Sequence, residues 1–160
     1  MNHFPSYFKI ISGGQTGVDR AALDFALKYH FPCGGWCPKG RVAEDGKIPE
    51  EYPLKETKTS DYSERTQKNI IDSDATFIIR SYKVDNGTKL TKELCSNYDK
   101  LLFELNLDEG LKLPELIKWI QDNHIKILNI AGPRESNTPG IYKKTLEYLE
   151  LVNKWDGHIS

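Results

Sequence analysis

The residues most able to do chemistry lie together in Ser12-Gly13-Gly14-Gln15-Thr16-Gly17-Val18-Asp19-Arg20. Three glycines there join a short apolar run to residues that recur at helical spacing. Glycine lets the backbone take positive φ and approach a ligand with no Cβ in the way. The free N–H groups and positive dipole end of a following helix favour an anion, phosphate above all. Gly13, Gly14, Gln15, Thr16 and Gly17 are therefore candidates to hold a phosphate; the plainer alternative is a tight strand-to-helix turn with no ligand. The G-G-x-x-G spacing is not the dinucleotide fingerprint, and no Gly-Lys-Ser/Thr follows to make a P-loop. Asp19 is either a first-turn acid that complements the helix dipole or an acceptor for a ribose or pterin-like donor. Arg20 can pair with Asp19, pair with Asp24, or clamp a phosphate bidentately.

A second group lies in Gly34–Pro49, where Lys39 and Arg41 stand beside glycines and Glu44-Asp45 are adjacent carboxylates. Cations beside glycines suit phosphate. A carboxylate in a closed site acts as general base or stabilises an oxocarbenium-like centre, as in glycosidic cleavage. The alternative is a solvated surface loop. Cys33 and Cys37 are spaced C-x3-C without a second Cys or His pair, which does not make a zinc site. Cys33 reads as a small buried apolar residue and Cys37, near Lys39, as the more reactive thiol. His3, His30, His124 and His158 stand in unrelated contexts and read as surface residues.

Three further corners complete the set. Tyr62, Arg65, Thr66 and Asn69 share one helical face, and Arg65 can reach the same anion. Asn86-Gly87-Thr88 is a second Gly/Thr turn into a helix. Gly132-Pro133-Arg134-Glu135-Ser136 follows the last apolar run and sets Arg134 and Ser136 at a sheet edge.

The elements that must position these residues alternate. Strand-like runs at Phe8–Ile11, Pro32–Gly35, Ala75–Arg80, Leu101–Leu105 and Ile125–Ile130 are separated by helical patterns at 16–29, 62–73, 88–98, 113–120 and 141–152. Residues 36–61 show no period, and so long an irregular stretch inside a compact domain is usually functional or disordered. The alternation predicts an α/β fold: a Rossmann-like three-layer sandwich of about five mostly parallel strands with helices on both faces, in one domain over residues 1–160. In such sheets ligands sit beyond the carboxyl ends of the strands, where the strand order reverses. The glycine corners fall there.

Composition excludes other classes. The 160 residues are 38% hydrophobic and 28% charged, with 22 Lys+Arg against 23 Asp+Glu and no basic block. Binding to long nucleic acid by counterion release is not expected. No apolar run approaches the ~20 residues that span a bilayer, and the first residues lack the pattern of a secretory signal. Three cysteines fit a reducing, cytoplasmic setting rather than a disulfide scaffold.

These motifs carry a resemblance. SGGQTGVDRAALDFA (12–26), GGWCPKGRVAEDGKIPEEYPLKET (34–57), RTQKNIIDSDATFII (65–79), GTKLT (87–91) and AGPRESNTPGIY (131–142) resemble the family called "putative molybdenum carrier". It is a circularly permuted, Rossmann-like branch of the superfamily that includes lysine-decarboxylase-like phosphoribohydrolases and DNA-processing protein A. The resemblance spans about residues 8–152 and implies a nucleotide or nucleotide-derived ligand. The carrier name implies molybdenum cofactor, a pterin bearing a phosphate, bound by a homo-oligomer. By the same resemblance Gly13 to Gly17 hold phosphate, Lys39, Arg41, Glu44 and Asp45 form a second motif, and Gly87 with Thr88 a third. The expectation is a small-molecule carrier. The alternative is a hydrolase cleaving a nucleoside-phosphate or nucleotide-sugar bond, with Glu44 and Asp45 catalytic. The hydrolases carry P-G-G-x-G-T-x-x-E; here Asn86-Gly87-Thr88 follows the third strand, with Leu90-Thr91 near the place of that glutamate.

Overall fold

The computed structural model describes residues 4–5 and 7–155. The elements are β1 (Lys9–Ile11), α1 (Val18–Lys28), β2 (Cys33–Gly34), β3 (Trp36–Cys37), β4 (Val42–Ala43), β5 (Gly46–Lys47), β6 (Lys55–Glu56), α2 (Tyr62–Asp72), β7 (Ala75–Arg80), α3 (Asn86–Asn97), β8 (Leu101–Asn106), α4 (Leu113–Asp122), β9 (Ile127–Ala131) and α5 (Ile141–Lys154). Five strands form one sheet in the order β2-β1-β9-β7-β8, every pair parallel. The chain runs outward from β1 to β2, then from β7 to β8 toward the other edge, and β9 returns to the middle. The order therefore reverses over β1, β9 and β7.

Alternation along the central strands divides the two faces. Ala75, Phe77, Ile79, Leu128 and Ile130 point to one face and join Val18, Phe25, Leu116, Ile120, Tyr148 and Val152 in the main core, beneath α1, α4 and α5. On the other face Thr76, Ile78 and Asn129 lie under α2 and α3. Buried Asn129 donates to Thr76 Oγ1 at 3.1 Å, so this face holds a paired polar strip where a plain core would be apolar. The Rossmann-like sandwich is as the alternation predicts.

The stretch 36–57 differs from the expected irregular loop. Its β3 pairs with β6 in parallel and β4 with β5 as a hairpin. Cys37, Ala43, Ile48, Tyr52 and Leu54 pack with Leu23 into a small core of their own. Arg41 is its internal brace. The residue is 6% exposed, and its guanidinium donates to the carbonyls of Ile48 (3.0 Å), Leu54 (3.2 Å), Pro49 (2.7 Å) and Tyr52 (2.9 Å). A segment of two-residue strands leaves many carbonyls without ladder partners, and one five-donor side chain satisfies four of them. Strands this short carry no readable period, which is why the sequence shows none.

Candidate functional site

A crevice opens beyond the carboxyl ends of β1, β9 and β7. Its outer part, about 460 Å3, is lined by Gln15, Asp19, Arg65, Lys83, Asp85, Gly87, Arg134 and Asn137 among others. A narrow slot of about 60 Å3 continues inward between α2, α3 and the sheet, past Thr66, Asn69, Thr88, Thr91 and Asn129. Asp19, Arg65, Gly87 and Gly132 line both parts.

The opening glycine corner is built differently from the expectation. Its amides turn to acceptors within the protein: Gly14 N–H to Ser12 Oγ (3.4 Å), Gln15 N–H to Asp19 Oδ2 (3.4 Å), Thr16 N–H to Gln15 Oε1 (3.0 Å) and Val18 N–H to the Pro133 carbonyl (3.3 Å). Three amides of the predicted oxyanion seat, those of Gly14, Gln15 and Thr16, thus have acceptors from the protein itself. Of the corner, Gly13, Gln15 and Asp19 line the crevice, whereas Gly14, Thr16 and Gly17 do not. The glycines are there for packing. A Cβ on Gly13 would strike Arg65, one on Gly17 the Pro133 carbonyl at 2.4 Å, and one on Gly132 the Ile79 carbonyl at 2.2 Å. Gly17 also sits at φ 79°, in the region only glycine adopts cheaply.

Asp19 is 7% exposed. Burial pushes its carboxyl up to about 6, against the opposing pull of Arg65 and of the Gln15 N–H. Arg65, also buried, donates through Nη1 to the Gly13 carbonyl (2.8 Å) and through Nε to Thr66 Oγ1 (3.2 Å), and approaches Asp19 Oδ2 at 3.7 Å. The Arg134 carbonyl accepts from the Asn137 and Thr138 N–H groups, but its side chain makes no hydrogen bond or ion pair with any described residue, and its guanidinium lies 5.4 Å from the centre of the Tyr62 ring. Gln15 is 5% exposed, and its Nε2 has no partner among the described residues, although its Oε1 accepts from both Thr16 and Glu44 amides. Asp85 caps α3 through the Thr88 N–H (2.8 Å) and accepts from Asn137 Nδ2 (3.1 Å). Burial raises its carboxyl, but these bonds outweigh that and hold it below the usual range.

Other expected residues lie elsewhere. Glu44 is a latch: it accepts from Thr16 Oγ1, Ser136 Oγ and, at 3.2 Å, the Ser136 N–H. Burial raises its carboxyl, yet those bonds prevail and keep it ionised. Asp45 pairs bidentately with Arg20 at 3.0 and 3.2 Å, and the pair holds Asp45 down. Arg20 also donates to the Gly14 carbonyl and lies over Tyr52, so it faces away from the crevice. Lys39 is exposed on the 36–57 segment and does not line the crevice. Ser136 serves the latch, and Arg41 the brace. Gly87, Thr88, Gly132, Arg65 and Arg134 converge as expected. Cys37 is buried and its thiol is pushed up by burial, contrary to the reactive thiol expected. His30 and His124 are exposed, as expected, and His3 and His158 lie outside the described residues.

Sequence reading missed Lys83, Asp85, Asn129 and Asn137. Two of them carried a signal: Asn129 is a polar residue inside an apolar strand, and Asp85 stands where a helix N-cap belongs.

Comparison with known proteins places the chain. No curated protein matches it. A solved structure at 1.45 Å from Syntrophus aciditrophicus SB, described as a "putative molybdenum carrier protein", is 49% identical, covers 92% of this chain and 96% of its own, and superposes with a TM-score of 0.89. An (E)-4-hydroxy-3-methyl-but-2-enyl diphosphate reductase is 14% identical over 91% of this chain and 59% of its own, at a TM-score of 0.35. A family model matches residues 10–153, and with it the chain belongs to the circularly permutated YpsA SLOG family.

Proposed function

We propose that the crevice binds a phosphorylated, nucleotide-like ligand, and that the protein carries it. The observation behind this reading is one crevice lined by three cations, Arg65, Lys83 and Arg134, together with the acceptors Asp19, Asp85 and Asn129. Cations suit phosphate oxygens; carboxylates and a carboxamide suit sugar hydroxyls and ring N–H donors. A ligand needing both is a nucleotide or a pterin with a phosphate. The Gln15 Nε2 offers a further donor at the crevice wall.

The relative's name makes molybdenum cofactor the first candidate cargo. Among the described residues no three His, Cys, Asp or Glu side chains gather into a metal site. Cys33, Cys37 and Cys95 do not line the crevice. The cations of the crevice would hold such a cargo through its phosphate, and the carboxylates and carboxamides through its pterin. Molybdate, a tetrahedral oxyanion, is the smaller alternative. A homo-oligomer belongs to the same proposal, and sedimentation with and without ligand tests it.

The test is calorimetric titration and thermal shift with AMP, molybdopterin and molybdate. A ligand at 100 times its Kd adds about 2.7 kcal/mol of stability, a rise of roughly 5–10 °C in a chain of this size. No shift from any of the three overturns the proposal.

A second reading, hydrolysis of a nucleoside-phosphate bond, is favoured by Asp19 alone. A buried carboxyl with a pKa of about 6, lining the crevice, suits proton transfer near neutrality. Release of free base from nucleoside monophosphates, lost in Asp19→Asn, supports this reading. No release rejects it.

A further inference from the structure

The four arginines near the glycine corner differ in what remains of their donors. Arg20 is bound by Asp45 and the Gly14 carbonyl, and Arg41 by four carbonyls. Arg65 is tied to Gly13 and Thr66 and lies near Asp19. Arg134 alone among them gives no hydrogen bond to a described residue. A free arginine side chain ordinarily sweeps through many rotamers, and fixing it costs side-chain entropy. Here an aromatic ring stands beside it, with the Asp85 and Glu44 carboxylates within electrostatic reach. The Tyr62 ring has the Arg134 guanidinium 5.4 Å from its centre and the Arg65 guanidinium 5.2 Å from it. Both guanidiniums belong to residues lining the crevice. Tyr62 opens α2, capped by Asp61 through the Ser63 N–H at 2.9 Å, so the ring's backbone is itself fixed. Like charges sharing one ring repel each other, and the π cloud offsets part of that repulsion.

We infer that Tyr62 is a positioning residue that brackets Arg134 and Arg65 into one clamp for a tetrahedral oxyanion, with the uncommitted donors of Arg134 as its grip. The clamp replaces the amide corner as the phosphate seat of the crevice. An oxyanion there neutralises the two guanidiniums and is bound by charge-assisted hydrogen bonds. The inference rests on the binding proposed above, and names the part of the crevice that takes the phosphate.

The experiment is calorimetric titration of the whole chain with AMP and with adenosine, which differ by the phosphate alone. Tyr62→Leu removes the ring and is expected to weaken AMP about tenfold while leaving adenosine within twofold. Tyr62→Phe keeps the ring and is expected to bind AMP within twofold of the wild type. In an Arg134→Ala background Tyr62→Leu adds less than a further twofold loss. Should Tyr62→Leu fail to fold, pentafluorophenylalanine at position 62 keeps the shape of Phe but drains its π charge, and it must still bind AMP more weakly than Tyr62→Phe does. Equal AMP affinity in Tyr62→Leu and the wild type overturns the clamp while the crevice stands. Equal loss of AMP and adenosine overturns it too, since that marks a merely structural ring. Where the wild type binds molybdopterin but not AMP, the same variants are titrated with molybdopterin under the same criteria; wild-type protein that binds none of AMP, adenosine, molybdopterin and molybdate overturns the crevice reading itself.

Discussion

Asp19 has the sharpest pH signature of the single residues. Its carboxyl sits at about 6 in the folded chain against 3.8 in the unfolded one, so the folded state holds the proton more tightly. The stability this gives is full below pH ~4 and is lost as pH rises through about 6. The loss reaches roughly 3 kcal/mol, from about two pH units at ~1.4 kcal/mol each. Asp19→Asn is therefore expected to raise Tm at pH 7 and to flatten the dependence of stability on pH between 4 and 6, both read by thermal melts across that range. An unchanged slope contradicts the buried, raised carboxyl. Glu44, Asp45 and Asp85 act in the opposite sense: held low, they stabilise above their ordinary range and let go as pH falls through it. At this scale the sequence was legible in residue type more than in direction. Arg65 and Arg134 stood out as anion groups, but nothing local shows that Arg41 turns inward or that Glu44 reaches across to Ser136. Those contacts join residues distant in the chain, and only the fold brings them together.

Among the elements, the 36–57 segment is the one whose behaviour the sequence hid. It folds on Arg41 and is fastened by Glu44 and by the Arg20–Asp45 pair. Arg41→Met leaves four carbonyls without their donor. The expected cost is about 3 kcal/mol or more, seen as a lower urea midpoint, with new protease cleavage inside 36–57. Glu44→Gln loosens the fastening without emptying the small core, so it is expected to speed that cleavage while changing global stability by only about 1 kcal/mol. Cleavage no faster than in the wild type in both variants contradicts the brace and latch. Gly132→Ala tests the packing role of a corner glycine. Its new Cβ meets the Ile79 carbonyl and Val18, and a loss of about 3 kcal/mol is expected from the clash against backbone. The helices and main strands, by contrast, were readable, because their apolar residues recur over several turns or pleats.

For the molecule as a whole, the reversal of strand order fixes where a ligand can sit, and the alternation of helices and strands was enough to predict it. What the sequence could not resolve was which corner would serve the proposed anion. Glycines mark both tight packing and ligand approach, and here packing claims the opening corner while side chains of α2, the loop before α3 and the loop after β9 supply the charge. Under the proposed function, the cargo depends on those side chains. The direct measurement is the affinity of the wild type and of Arg134→Ala for AMP, molybdopterin and molybdate by calorimetry at two salt concentrations. Expected is saturable binding of a phosphorylated ligand that Arg134→Ala weakens tenfold or more and that falls as salt rises. Absence of binding to all three, or binding indifferent to both Arg134 and salt, would contradict the crevice as an anion-dependent carrier site.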